Sequence, residues 1–287
     1  MAELSAETWT AKGEVVADFD AAYDNRAAVT DAAATVSRWP NDAAAFRERL
    51  LAAGRAEIGI LYGSAPRQRY DLFRPEGEAR GLVVFIHGGY WKSQDVGNFS
   101  HFAGGPLARG YAVALPEYTL CPDATIPHIT QEIGGCLDHV TELVAGPIRL
   151  SGHSAGGHLA TRMICADAPI AASTAERVDR VVSISGLHDL RPIMRTAMNE
   201  VLRLDVQTAR AESPALLEPR QGAELICVVG ADELPELRRQ NALLPNVWSG
   251  FGLKTRGFEI RGRHHLDVID ALRDARSDLV ELLAGQP

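Results

Sequence analysis

Ile148-Arg149-Leu150-Ser151-Gly152-His153-Ser154-Ala155-Gly156 is the stretch whose reading decides the fold. Ile148 to Ser151 reads as a short apolar strand, and Ala155 to Ile164 reads as a helix. Between them, Gly152-x-Ser154-x-Gly156 stands where a strained strand-to-helix turn is expected to present a serine hydroxyl above the sheet. So tight a turn leaves no room for a side chain on either flank, which accounts for both glycines. The N-terminus of the new helix points at the same place, and the N–H of Ala155 becomes available to a developing negative charge. A bare Gly-x-Ser-x-Gly is common by chance and could be an ordinary glycine-rich turn. The flanking elements favour a nucleophile at Ser154.

Working outward, short apolar runs alternate with helical stretches from about residue 57 onward. Strands are expected at 58–62, 70–73, 82–86, 111–115, 148–151, 178–184, 225–229 and, more weakly, 258–260. Helices are expected at 127–144, 155–166, 235–244 and 267–284. Leu82 to Ile86 is apolar at every position, as in a strand buried on both faces. Such alternation predicts an α/β fold with a mostly parallel central sheet and helices on both faces, and ligands bind such sheets at the carboxyl ends of the strands. The first 55 residues read as an N-terminal helical extension of a single domain spanning 1–287, with one or two helices over the Ala-rich stretches 16–35 and 42–53. The segment 190–215, read as helical and bounded by prolines, is a candidate cap or lid.

His87-Gly88-Gly89-Tyr90-Trp91 follows the buried run 82–86 directly. Glycines at this place let backbone N–H groups face a substrate carbonyl, so Gly88 and Gly89 join Ala155 as candidate oxyanion donors. His87 is expected to brace the loop, and Tyr90 and Trp91 to wall the substrate pocket. This architecture orders its residues serine, acid, histidine. His264-His265-Leu266-Asp267 follows the last strand, and only one of the two histidines can face Ser154. Asp267 is expected to cap a helix or support the loop, and His158 to be packed. For the acid, Asp232 and Glu233 both follow the strand 225–229. Asp232 is the first choice, because Glu233 also suits the first turn of the next helix; Glu233 is the alternative.

Composition excludes several classes. The formal charge of −8 and the lack of a basic cluster argue against a nucleic-acid partner. No apolar run approaches the ~20 residues of a membrane span. The polar, acidic start Met1 to Glu7 lacks the features of a secretion signal. Cys121, Cys136, Cys165 and Cys227 are widely spaced and read as free thiols in a reducing cytoplasm. No metal-ligand or phosphate-loop motif occurs, so neither a metal nor any other cofactor is expected. A small-molecule substrate is, and the sequence leaves room for a homodimer.

The motifs also resemble those of the serine-dependent arylformamidases (kynurenine formamidases) and their short-chain esterase relatives. The resemblance runs through Tyr23-Asp24-Asn25-Arg26, Arg69-Tyr70-Asp71-Leu72-Phe73-Arg74-Pro75, His87-Gly88-Gly89-Tyr90-Trp91, Ser185 to Pro192, Ser213-Pro214 and Pro235 to Gln240. His265-Leu266-Asp267 is similar to the family's His-Phe-Asp, which selects His265 over His264. Counted back from Pro235, Glu233 stands where some members have their aspartate. The resemblance implies an α/β-hydrolase fold and cleavage of an N-formylkynurenine-like arylformamide through an acyl-enzyme. Ser154 would be the nucleophile, His265 the base and Asp232 the acid. The alternatives are a carboxylesterase for short acyl esters and, less favoured, a non-catalytic binding module.

Overall fold

The computed structural model describes residues 4–5 and 15–285. Its strands are β1 (Leu4–Ser5), β2 (Ala56–Leu61), β3 (Arg69–Phe73), β4 (Leu82–Ile86), β5 (Ala112–Pro116), β6 (Ile148–His153), β7 (Val178–Ile184), β8 (Glu224–Gly230) and β9 (Lys254–Ile260). Its helices are α1 (Phe19–Tyr23), α2 (Ala32–Ala52), α3 (Gly104–Ala108), α4 (Ile126–Leu143), α5 (Ala155–Arg162), α6 (Ala172–Arg177), α7 (Asn199–Leu202), α8 (Val206–Ala211), α9 (Pro235–Ser249) and α10 (Asp278–Ala284). The strands form one sheet in the order β1-β9-β8-β7-β6-β4-β5-β3-β2. The run from β5 through β4, β6, β7 and β8 to β9 is parallel. β3 and β2 at one edge and β1 at the other are antiparallel additions.

The continuous apolar runs follow from this layering, because successive side chains on a strand point to opposite faces. Leu82, Val84 and Ile86 of β4 enter one apolar cluster, while Val83 and Phe85 enter the other. β8 repeats the pattern, with Leu225, Cys227 and Val229 on the first side and Ile226 and Val228 on the second. Helices α4, α5 and α9 supply Ile133, Leu159 and Leu244 to the first cluster. Helices α2, α3 and α10 supply Trp39, Leu107 and Leu283 to the second. Burying one such side chain stabilises by ~1.5–3 kcal/mol, so the central strands are the stiffest frame on which to mount a site. All four cysteines are buried and unpaired.

Three elements differ from the expectations. The N-terminal helices break at 24–31 rather than near residue 40. Asp18 caps α1 by accepting from Ala21 N, Asp24 Oδ1 takes the N–H of Ala27 to end it, and α2 runs on through Pro40. The stretch 267–284 is not one helix. It makes a 3-10 turn over Val268–Arg273 and restarts at α10, because Ser277 Oγ accepts from Val280 N and caps a new helix. The segment 190–215 is helical only in short pieces, a 3-10 turn at Ile193–Arg195 followed by α7 and α8.

Candidate active site

Ser154 sits between β6 and α5 with φ 57° and ψ −118°. A non-glycine residue there is strained, and the strain is held from several sides. The Ser154 N–H donates to the carbonyl of Ile184 at 2.8 Å. A Cβ on Gly152 would lie 2.1 Å from the Gly156 carbonyl oxygen, and one on Gly156 would lie 2.0 Å from that of Ile86. Both glycines are therefore imposed by the close approach of backbone to backbone.

The loop after β4 runs past this turn. A Cβ on Gly88 would come within 2.8 Å of the His153 carbonyl oxygen and 3.1 Å of Ser154 Cβ. Gly89 has φ 112° and is packed under Ser93. His87 braces the loop as expected. Its Nδ1–H donates to the Gly88 carbonyl at 2.7 Å, and its ring stacks on Tyr118 at 4.4 Å. Burial lowers its pKa to about 4, so it is neutral near pH 7. Ala155 opens α5, where the first N–H groups of a helix have no helical acceptor.

Tyr90 (φ 49°) and Trp91 (φ 54°) follow in left-handed conformations, and their side chains part. Tyr90 lines the cleft that contains Ser154. Its hydroxyl donates to the Tyr23 carbonyl at 2.7 Å and accepts from Asn25 Nδ2 at 3.0 Å. Trp91 corrects the expectation of a pocket wall, because it is fully buried in the core. Its Nε1–H donates to Nδ1 of His158 at 3.2 Å, and the Nε2–H of His158 donates to the Glu212 carbonyl at 2.7 Å. The bond from Trp91 requires an unprotonated His158 Nδ1, and burial lowers that pKa to about 3.

His265, on the loop after β9, lines the same cleft as Ser154. Nδ1–H of His265 donates to Oε2 of Glu233 at 2.7 Å. Oε1 of Glu233 accepts from Ser185 Oγ at 2.6 Å and from the Gly230 N–H at 2.8 Å. Glu233 is buried and Asp232, the first choice from sequence, is exposed. The reason lies in the turn leaving β8. The Asp232 N–H bonds to the Arg263 carbonyl and the Glu233 N–H to the Gly230 carbonyl, which folds the glutamate back beneath His265. His264 takes no part in this contact. Its N–H donates to Asp267 Oδ1 and its Nδ1 accepts from the N–H groups of Leu266 and Asp267, so Asp267 supports the loop.

Two contributors carried no role in the sequence reading. His153, inside the Gly-x-Ser-x-Gly turn, donates from Nε2–H to the carbonyl of His265 at 2.8 Å, with the two rings 4.6 Å apart. Burial, and then the neighbouring His265, hold its pKa well below the usual range. Ser185, with φ 51°, bonds Glu233 as described. Only the recurrence of the Ser185 to Pro192 motif could have singled it out.

The cleft has a volume of about 470 Å³. Part of its wall comes from the N-terminal segment, Tyr23 of α1, Asn25 of the link after it and Trp39 of α2, while the 190–215 segment contributes Met198. These two covering pieces meet, since Asp20 Oδ1 accepts from Ala197 N at 2.7 Å and Arg195 lies over the Phe19 ring. Among the described residues no group of histidine, cysteine and acidic side chains could hold a metal ion, and no helix is long and apolar enough to cross a membrane.

The chain is similar to several known proteins. A crystal structure from Silicibacter sp. TM1040, provisionally described as a thioesterase, is 40% identical, has a TM-score of 0.88 and covers 93% of this chain and 98% of its own. Kynurenine formamidase of Salmo salar is 25% identical over 82% of this chain and 83% of its own length. The enzyme of that name from Danio rerio is 26% identical over the same shares. The sequence profile of the BD-FAE family matches residues 70–219, just over half of the chain and the part that carries both the His87–Trp91 loop and the Ser154 turn. The chain is thus a hydrolase of the α/β-hydrolase type and belongs to the BD-FAE family.

Proposed function

We propose that the protein cleaves a small acyl group, formyl in the favoured reading, from an aryl amide resembling N-formylkynurenine, by way of an acyl-enzyme at Ser154. In this reading His265 Nε2 takes the hydroxyl proton as Ser154 Oγ attacks the carbonyl carbon. The N–H groups of Gly88, Gly89 and Ala155 receive the oxyanion, and His265 returns the proton to the leaving amine. Water then enters by the same base and releases formate. Glu233, in place of Asp232, holds His265 in the tautomer that can accept at Nε2; its 2.7 Å bond to Nδ1 supports that role. The observation that carries the small acyl group is Tyr90. It takes the place of the third glycine of His-Gly-Gly-Gly lipases, and its hydroxyl is tied down by Tyr23 and Asn25 beside the serine. The relatives named kynurenine formamidase agree with this substrate class. The proposal extends to a cytoplasmic setting, in keeping with four free buried thiols, and to action as a monomer or homodimer on a small molecule.

A second reading, hydrolysis of short-chain oxygen esters or thioesters, is favoured by the 40% identity to the protein described as a thioesterase. The test compares kcat/KM for N-formylkynurenine, p-nitrophenyl acetate and acetyl-coenzyme A. Preference for the formamide is expected, and turnover of the esters alone would replace the first reading by the second. Labelling by a phosphonofluoridate should map to Ser154, and Ser154→Ala should lower kcat about 10⁶-fold.

A further inference from the structure

We propose that the mouth of the cleft is a binding site for a carboxylate on the leaving group, held by Arg26 and Lys92. The inference rests on the hydrolase reading above but not on the formyl group. Arg26 and Lys92 both line the cleft that holds Ser154 and His265, and both are exposed at its mouth. Neither has a carboxylate within 4.0 Å among the described residues, although most arginines of this acidic chain are paired. The two acidic residues of the same wall are bound elsewhere, Asp20 Oδ1 by Ala197 N and Asp24 Oδ1 by Ala27 N.

The placement of the two cations is built in. Arg26 directly follows Asn25, and Lys92 stands two residues after Tyr90 on a turn closed by the bond from Lys92 N to the Gly89 carbonyl. The Asn25–Tyr90–Tyr23 clasp joins these segments, so the fold that fixes the loop beside Ser154 also brings both cations to one opening. Below them the wall is aromatic, with Trp39 and Phe99 5.3 Å apart between ring centroids. An aromatic wall beneath an uncommitted pair of cations matches a flat aryl leaving group with an anionic substituent. A guanidinium and an ammonium bind a carboxylate through charge-assisted hydrogen bonds.

The test uses Arg26→Gln, Lys92→Gln and the double variant on two pairs of ligands that differ by a carboxylate. Phenyl acetate and 4-carboxyphenyl acetate are compared by kcat/KM. Formanilide and 2-formamidobenzoate are compared by calorimetric binding to the Ser154→Ala protein, which reports on the subsite even if neither acyl group is turned over. Each single substitution is expected to weaken the carboxylated member roughly 3- to 10-fold, through KM, while the neutral member changes less than about twofold. Raising the salt concentration should shrink the wild-type preference in the same direction. Equal losses on both members of a pair, or a wild-type protein that does not prefer the carboxylated one, would overturn the site. Loss of all turnover with carboxylate-selective binding intact would count against the hydrolytic reading and leave the subsite standing.

Discussion

Glu233→Gln separates the two acids that the sequence offered. The glutamate carries three contacts on two oxygens. Oε2 faces His265 Nδ1 at 2.7 Å, and Oε1 receives Ser185 Oγ at 2.6 Å and Gly230 N at 2.8 Å. A glutamine has one acceptor oxygen. Gly230 N–H is fixed by the backbone, so the amide oxygen belongs at the Oε1 position and the NH₂ group turns to His265. Nδ1 must then accept, the remaining proton moves to Nε2, and the imidazole can no longer take a proton from Ser154. Holding the wrong tautomer in a serine–histidine–acid array costs about 10⁴ in kcat, or ~5 kcal/mol of transition-state stabilisation at 1.36 kcal/mol per decade. The substituted side chain keeps the volume of the original, so the fold should survive, as thermal melting would show. Steady-state kinetics on an aryl acetate at pH 7 would read the effect, with Asp232→Asn, an exposed change, staying within about twofold of wild type. A Glu233→Gln enzyme retaining more than a tenth of its activity beside a crippled Asp232→Asn enzyme would refute the reasoning and restore Asp232 as the acid.

Three further outcomes follow from the geometry. Trp91→Phe removes a buried N–H donor from His158 and leaves a void, so unfolding in urea should show a loss of about 1–3 kcal/mol. KM should change less than about twofold, whereas a large KM effect with unchanged stability would return Trp91 to the pocket wall. Gly156→Ala places a methyl group 2.0 Å from the Ile86 carbonyl oxygen; activity and labelling of Ser154 should both be lost, and a fully active variant would contradict the turn geometry. His87, His158 and His188 are buried, and burial depresses their pKa values to about 4, 3 and 4. The unfolded chain binds protons at these histidines from the ordinary value of 6.5 downward while the folded chain resists, so stability falls as pH falls through that window and levels off near the folded pKa values. Between pH 6.5 and 5 each should cost about 2 kcal/mol, and denaturation midpoints that do not move across this range would refute it.

The one-dimensional order of residues determined the layering and the local turns that carry the candidate site. Runs that are apolar at every position, such as Leu82 to Ile86, can only be buried on both faces, and Gly152 and Gly156 announce a turn in which backbone meets backbone. Local composition therefore disclosed the central sheet, the Ser154 turn, the His87 loop and the position of His265. The tertiary structure decided what depends on direction and on distant partners. Asp232 and Glu233 are neighbours after the same strand, and only the turn tied to Arg263 and Gly230 sends the first choice outward and the alternative beneath His265. Tyr90 and Trp91 are adjacent aromatics, and only their successive left-handed conformations point one at the cleft and the other at His158 in the core. The N-terminal helices showed no role in sequence, because their function as a wall arises from bonds to Tyr90 and Ala197 across 65 and 177 residues of chain. The Ser154 turn was thus legible from local sterics, while the Glu233–His265 pair, the brace at His153 and the cover of the cleft rest on contacts that only the folded chain creates.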